Sequence, residues 1–197
     1  IHLIVGTAPV HTVGGKVNEP VYASNYAEAV AAMGYSDEWD KYDICEEIYS
    51  SFKLYSNGPI IMVNVLDPAK HLKGAETVEK TLAGGITELS YEAVSDTVEV
   101  KGYDGEDSLT ETYTRGEDYD LFYTDGVLRL ERIESGKIKA DNARLNIKFN
   151  SVDPSKVTKK EIIGGYDTNT NKSSGFELVD SCLLYTSPSP RDGLLSR

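Results

Sequence analysis

The run Ile60-Ile-Met-Val-Asn-Val-Leu66 constrains this chain more than any other stretch. It is apolar at every position but Asn64 and rich in β-branched residues. It is too short for a helix that is apolar all round, and it does not alternate as a half-exposed strand would. Such a run reads as a strand buried on both faces, the kind found in parallel sheets covered by helices. Asn57-Gly58-Pro59 sets it off from the segment before it. There, from about residue 40 to 55, Ile44, Cys45, Ile48, Phe52 and Tyr55 recur at three- and four-residue spacings. That spacing predicts a helix with one apolar stripe, and Glu46, Glu47, Ser50 and Lys53 lie off the stripe.

The residues further upstream extend the same pattern. Leu3–Val5 reads as a short apolar strand, 6–20 as a Gly- and Pro-rich loop, and Val21–Ala23 as a second strand. Asn25 followed by Glu28 resembles a capping box. Ala27, Ala29, Ala31 and Ala32 then favour a helix over Tyr26–Met33, which Gly34 ends. Strand, helix, helix and strand make a right-handed α/β crossover, and the buried strand expects parallel neighbours on both sides.

The texture changes after Asp67-Pro68. From about residue 75 to 152, short alternating runs are separated by turn residues. Gly84-Gly85 divides 76–82 from 86–89, and the alternating stretch 97–101 leads into Tyr103-Asp-Gly105. Tyr119–Tyr123 and Val127–Arg132 flank Thr124-Asp125-Gly126, a hairpin with a type I′ turn. Leu145, Ile147 and Phe149 alternate with polar residues. Regular short strands predict an antiparallel sandwich or barrel. Helix signals return after Asp153-Pro154. Thr158 and Glu161 form a capping box, Gly164-Gly165 close the helix, 168–174 reads as polar loop, and 175–181 opens another helix. The organisation read from these signals is 1–68 as the first part of an α/β domain, 69–152 as an inserted β domain, and 153–181 as the return to the first.

A net charge of −12 over 197 residues argues against a nucleic-acid partner, because an acidic surface repels phosphate. No apolar run approaches the roughly 20 residues that span a bilayer. Two cysteines, Cys45 and Cys182, provide neither a disulfide framework nor a metal spacing. Gly6, Gly14 and Gly15 follow a strand, but they match no phosphate-loop or dinucleotide pattern. His2, His11 and His71 are scattered, with no second ligand at a metal spacing, and read as surface or satisfied histidines. Two acidic turns, Asp104/Glu106/Asp107 and Glu117/Asp118/Asp120, offer oxygens to calcium without matching the EF-hand loop, and read as solvated turns. No nucleophile elbow occurs. The residues predict no catalytic, cofactor or metal site. The thirteen tyrosines suit packing and interfaces alike.

An ordered series of short segments resembles the contractile-tail sheath proteins of phages. It comprises Val5-Gly-Thr-Ala-Pro9, Val17-Asn-Glu-Pro20, Tyr26-Ala-Glu-Ala-Val30 and Gly34-Tyr-Ser-Asp37, then Phe52-Lys-Leu-Tyr55, Gly58-Pro59 and Val63-Asn-Val-Leu-Asp-Pro68. Asp153-Pro-Ser-Lys-Val157, Ile162-Ile-Gly-Gly165 and Gly175-Phe-Glu-Leu178 continue it. The segment Cys182–Asp192 resembles the translation of a transposase-type sequencing adapter, so 182–197 is expected to be a non-native tail and Ile1 to lie inside a longer gene product.

The resemblance implies a subtilisin-like α/β domain, in shape rather than in proteolysis, carrying a β-rich insertion. It implies a virion protein made in the bacterial cytoplasm, whose partners are its own copies in hexameric rings stacked helically, the inner tail tube, and baseplate and terminator proteins. It implies no cofactor, no membrane insertion and no enzyme activity, with the links between subunits outside residues 1–181. Two other classes stay open on the residues alone: an α/β hydrolase with an accessory β domain, and a cell-surface binding module.

Overall fold

The computed structural model describes residues 2–103 and 109–181. Its strands and helices fall into two units. The first takes in 2–10, 15–66 and 157–181, and the second takes in His11–Gly14 and Asp67–Lys156. The chain is mixed α/β.

In the first unit, β1 (His2–Gly6), β2 (Pro20–Ala23) and β3 (Ile60–Asn64) form a sheet in the order β1-β3-β2. The apolar run is the central strand, and every residue of β3 is buried. Ile60 and Met62 join a core with Ala29 and Met33 of α1 (Tyr26–Met33) and with Ile44 and Ile48 of α2 (Asp43–Tyr49). Val63 and Val65 face the other way, against Val5, with Leu3, Val157, Ile162 and Leu178 packed around them. Burial on both faces therefore follows the composition of the run. The direction of its neighbours does not. β1 is parallel to β3, but β2 is antiparallel to it, so the expectation of parallel neighbours on both sides is wrong. An apolar run reports which faces are covered and carries no signal of strand direction.

The first helix has the bounds and the cap read from the sequence. Asn25 accepts a hydrogen bond from the Glu28 N–H at 3.0 Å. The reciprocal arm lands one residue early, because the Glu28 carboxylate accepts from the N–H and hydroxyl of Ser24 at 2.8 and 2.7 Å. Gly34 takes φ 73° beyond the last turn, a left-handed value that glycine adopts without strain. The second helix departs from expectation at both ends. It starts at Asp43 rather than near 40, and its last turn widens into a π-helical turn over Ser50–Leu54. That widening turns the end of the predicted stripe towards solvent, while Ile44, Cys45 and Ile48 stay buried. Phe52 is only half-buried and Tyr55 is 76% exposed. Further on, α3 (Lys159–Ile163) carries the full capping box between Thr158 and Glu161. Of the stretch 168–174 expected as polar loop, Lys172–Ser174 is instead a strand, β12, paired antiparallel with β11 (Gly165–Asp167). A last helical turn, α4 (Leu178–Ser181), follows.

The strands of the second unit pair antiparallel. Four strands, β4 (Glu76–Thr81), β6 (Glu99–Tyr103), β7 (Leu109–Tyr113) and β10 (Arg144–Phe149), form one sheet in the order β4-β10-β6-β7. Three more, β5 (Ile86–Glu88), β8 (Tyr119–Thr124) and β9 (Val127–Arg132), form another in the order β5-β9-β8. Both sheets are open, so among the described residues there is no closed barrel. They share one core: Leu145, Ile147, Phe149 and Val100 from the first meet Leu121, Leu128 and Leu130 from the second. The hairpin of β8 and β9 turns on Asp125 and Gly126, whose φ values of 50° and 79° are those of a type I′ turn.

The two Asp-Pro segments lie side by side in this unit. The Asp153 N–H donates to the His71 carbonyl at 2.8 Å, Leu72 bridges Val152 antiparallel, and the Lys73 N–H donates to the Ser151 carbonyl at 2.8 Å. Each aspartate also organises its own turn. Asp67 accepts from the Ala69 N–H at 2.9 Å, and Asp153 from the Ser155 hydroxyl at 2.6 Å.

Candidate functional site

The glycine-bearing loop after β1 has its backbone donors already engaged. The Thr7 N–H donates to Asp43 Oδ1 at 2.5 Å, and the Thr7 hydroxyl to the same atom at 3.0 Å. A side chain at Gly6 would collide with that carboxylate. The Ala8 N–H donates to Asn64 Oδ1 at 3.0 Å. A phosphate loop aims free N–H groups at its anion. Here side chains of the same unit take those donors, so the loop is built as a connector.

Asn64 is the polar exception in the apolar run and is fully buried. Its Oδ1 also accepts from the Leu66 N–H at 3.1 Å, while its Nδ2 donates to the Leu66 carbonyl at 2.8 Å. The backbone carbonyl of Asn64 accepts from the Asn18 N–H at 2.8 Å. One carboxamide thus fastens both the loop after β1 and the chain leaving β3. Sequence reading passes over this role, although a lone Asn inside an apolar run is the signal that marks it.

The histidines diverge. His2 is exposed, with Nδ1 3.2 Å from Glu47. His71 is buried, and its Nδ1 accepts from the Asp67 N–H at 2.9 Å, as a satisfied neutral imidazole does. His11 is neither a surface nor a satisfied histidine: it is buried, and its Nδ1 has no hydrogen-bond partner.

Of the two acidic turns, Asp104, Glu106 and Asp107 lie outside the described residues, as does the whole of 182–197. In the other turn the carboxylates do not converge on a cation. Asp118 is buried and spends both oxygens on backbone donors, Oδ2 on the Thr114 N–H and Oδ1 on the Lys137 N–H, each at 2.8 Å. Those bonds, the Thr114 contact foremost, hold its carboxyl below the ordinary carboxylate range. Asp120 turns to the Leu121 N–H at 2.8 Å. Among the described residues, no three of His, Cys, Asp and Glu gather where they could hold a metal ion.

Cys45 is buried in α2, and burial pushes its thiol up to about 12, so it stays protonated and unreactive at neutral pH. Aromatic side chains cluster on the first unit. Trp39 tilts against Tyr49 at 5.2 Å, Tyr26 against Tyr35 at 5.7 Å, and Lys53 Nζ sits 4.1 Å over the Tyr26 ring. No described helix is long and apolar enough to cross a membrane.

Comparison with known proteins finds one marked similarity. Over 184 residues, 92% of its length, the chain is 30% identical to the tail sheath protein of Burkholderia phage BcepMu. The chain is a relative of phage tail sheath proteins. It spans 35% of the length of that relative. No protein-family profile matches the chain, and no solved structure matches it.

Proposed function

We propose that this chain is part of the structural subunit of a contractile tail sheath. In this reading, complete subunits close into hexameric rings that stack helically around an inner tube. Baseplate and terminator proteins bound the two ends of the stack. Contraction is a switch between two packings of the same subunit, and it drives the tube through the host envelope. The first unit is then part of a subtilisin-like domain used for its shape. The second is an insertion carried on the outside of the assembly, and the subunit, made in the host cytoplasm, needs no cofactor and catalyses nothing.

The observation that carries this reading is the similarity to the BcepMu tail sheath protein along almost the whole chain. The fold is consistent with it: the two ends of the second unit run side by side, as the ends of an inserted domain must. A complete protein carrying this sequence, purified and imaged in negative stain, is expected to form regular hollow cylinders. A protein that stays monomeric at its highest soluble concentration would exclude the reading. A tail-tube gene directly downstream of the coding sequence is the matching genomic expectation.

A further inference from the structure

His11 sits on a single 3-10 turn, Val10–Thr12. Its Nε2 lies 3.0 Å from the Tyr91 carbonyl oxygen. A carbonyl can only accept, so in the neutral ring Nε2 carries the proton and Nδ1 is a bare lone pair. That lone pair is buried with no partner. The rings of Tyr91 and Tyr123 stand edge-to-face with the imidazole, at 6.2 and 6.0 Å.

The nearest hydroxyl in the seat is already engaged. The Tyr123 hydroxyl already donates to the Ala93 carbonyl at 2.8 Å and accepts from the Ser95 N–H at 3.1 Å. Protonation would therefore bury a full charge and an N–H with nothing to receive it, a combination that interiors avoid. The charged group whose field reaches the ring is Glu92, and it favours the imidazolium, as does the Tyr91 carbonyl. Burial raises the Tyr123 phenol further above its ordinary value, so it adds no charge in the range in which histidine titrates. Against Glu92 and the carbonyl stands burial, and burial is the larger effect, so the ring titrates below an ordinary histidine.

We propose that His11 is an acid-operated latch: gaining a proton at Nδ1 expels its ring from the seat against Tyr91 and Tyr123 and frees the segment His11–Gly14. The direction follows from the linkage of charge and structure. A histidine held neutral in the folded state contributes its full hold above its unfolded value, about 6.5, and loses it as pH falls toward the lower folded value.

The test follows the ring contacts in the full chain by NMR. Nuclear Overhauser contacts from the His11 ring to Tyr91 and Tyr123 are expected at about pH 7.5 and lost by about pH 4.5. The loss should track the protonation of His11, with a midpoint below about 6.5. Contacts among Leu128, Leu130 and Ile147 in the core should survive. In His11→Phe, the ring contacts should persist at both pH values. Persistence of the contacts in the wild type at the lower pH would overturn the proposal, as would a ring midpoint at or above the ordinary value. Loss of the contacts in His11→Phe at the same pH would also overturn it. Should His11→Phe fail to fold, the wild-type titration decides alone.

Discussion

Single polar side chains carry much of the specification in this chain. Asn64 sits where the pattern calls for an apolar residue, and replacing it with one would improve the pattern and harm the protein. In Asn64→Leu, the N–H groups of Ala8 and Leu66 and the Leu66 carbonyl lose their partner inside the core. Each unsatisfied buried group costs roughly 1–3 kcal/mol, so the expected loss is about 3 kcal/mol or more in urea unfolding of the first unit. A variant as stable as its parent would show that water or a neighbour replaces the carboxamide. Asp118 offers a pH-dependent counterpart. Its folded-state carboxyl is held low by the N–H groups of Thr114 and Lys137. Its stabilisation is therefore complete above the unfolded carboxylate value of about 3.9 and is lost as pH falls toward the folded value. Asp118→Asn can accept from those donors only through one oxygen. It should melt lower than the parent at neutral pH, and the gap should narrow as the solution approaches pH 3. A gap that does not change with pH would mean that the negative charge contributes nothing.

At the scale of elements, strand β3 and the π-helical turn before it respond differently to substitution. Ile61 is 1% exposed in a strand covered on both faces, so Ile61→Asp buries a charge with no partner and should unfold the first unit. Phe52 packs at the rim of the core and is half-buried, so Phe52→Ala should cost about 2 kcal/mol, below the 3–5 expected of a fully buried Phe. Thermal melts of both variants check the ranking, and equal effects would contradict it. The reason for the ranking also explains what the sequence makes legible. Apolar spacing reports burial as long as the helix keeps its period. At Ser50–Leu54 the period changes, which is why Tyr55 belongs to the predicted stripe and yet faces solvent. The type I′ turn at Asp125-Gly126 and both helix caps are legible because local backbone chemistry decides them. The β11–β12 hairpin is not, since its strands are short and polar. The antiparallel placement of β2 is not legible either, since strand direction leaves no mark on composition. Asn64 and His11 show the same limit among side chains: residue identity is visible in a sequence, but the partners that a polar group finds or lacks are set by distant segments, as Tyr91 and Tyr123 are for His11.

At the scale of the whole molecule, the strongest expectation is that the second unit folds by itself. Its two sheets enclose one core, in which Val100, Leu128, Leu130, Leu145 and Ile147 are each fully buried. Its β8–β9 hairpin is a local contact closed by a two-residue turn. Its ends need no outside support, because Leu72 and Val152 bridge one another and the His71 carbonyl holds the Asp153 N–H. Excising Asp67–Lys156 cuts the chain close to that bridge, where the two ends of the unit already lie together. One contact is lost knowingly. The excised unit lacks His11, so the seat formed by Tyr91 and Tyr123 opens to water, and some stability goes with it. The expected result is an amide NMR spectrum that is well dispersed, with the slowest hydrogen exchange in β9 and β10, the central strands of the two sheets. A collapsed spectrum restored by adding a His11–Gly14 peptide would make that segment an obligatory part of the fold. A collapsed spectrum that the peptide does not restore would mean that the unit depends on the rest of the chain and is no independent insertion.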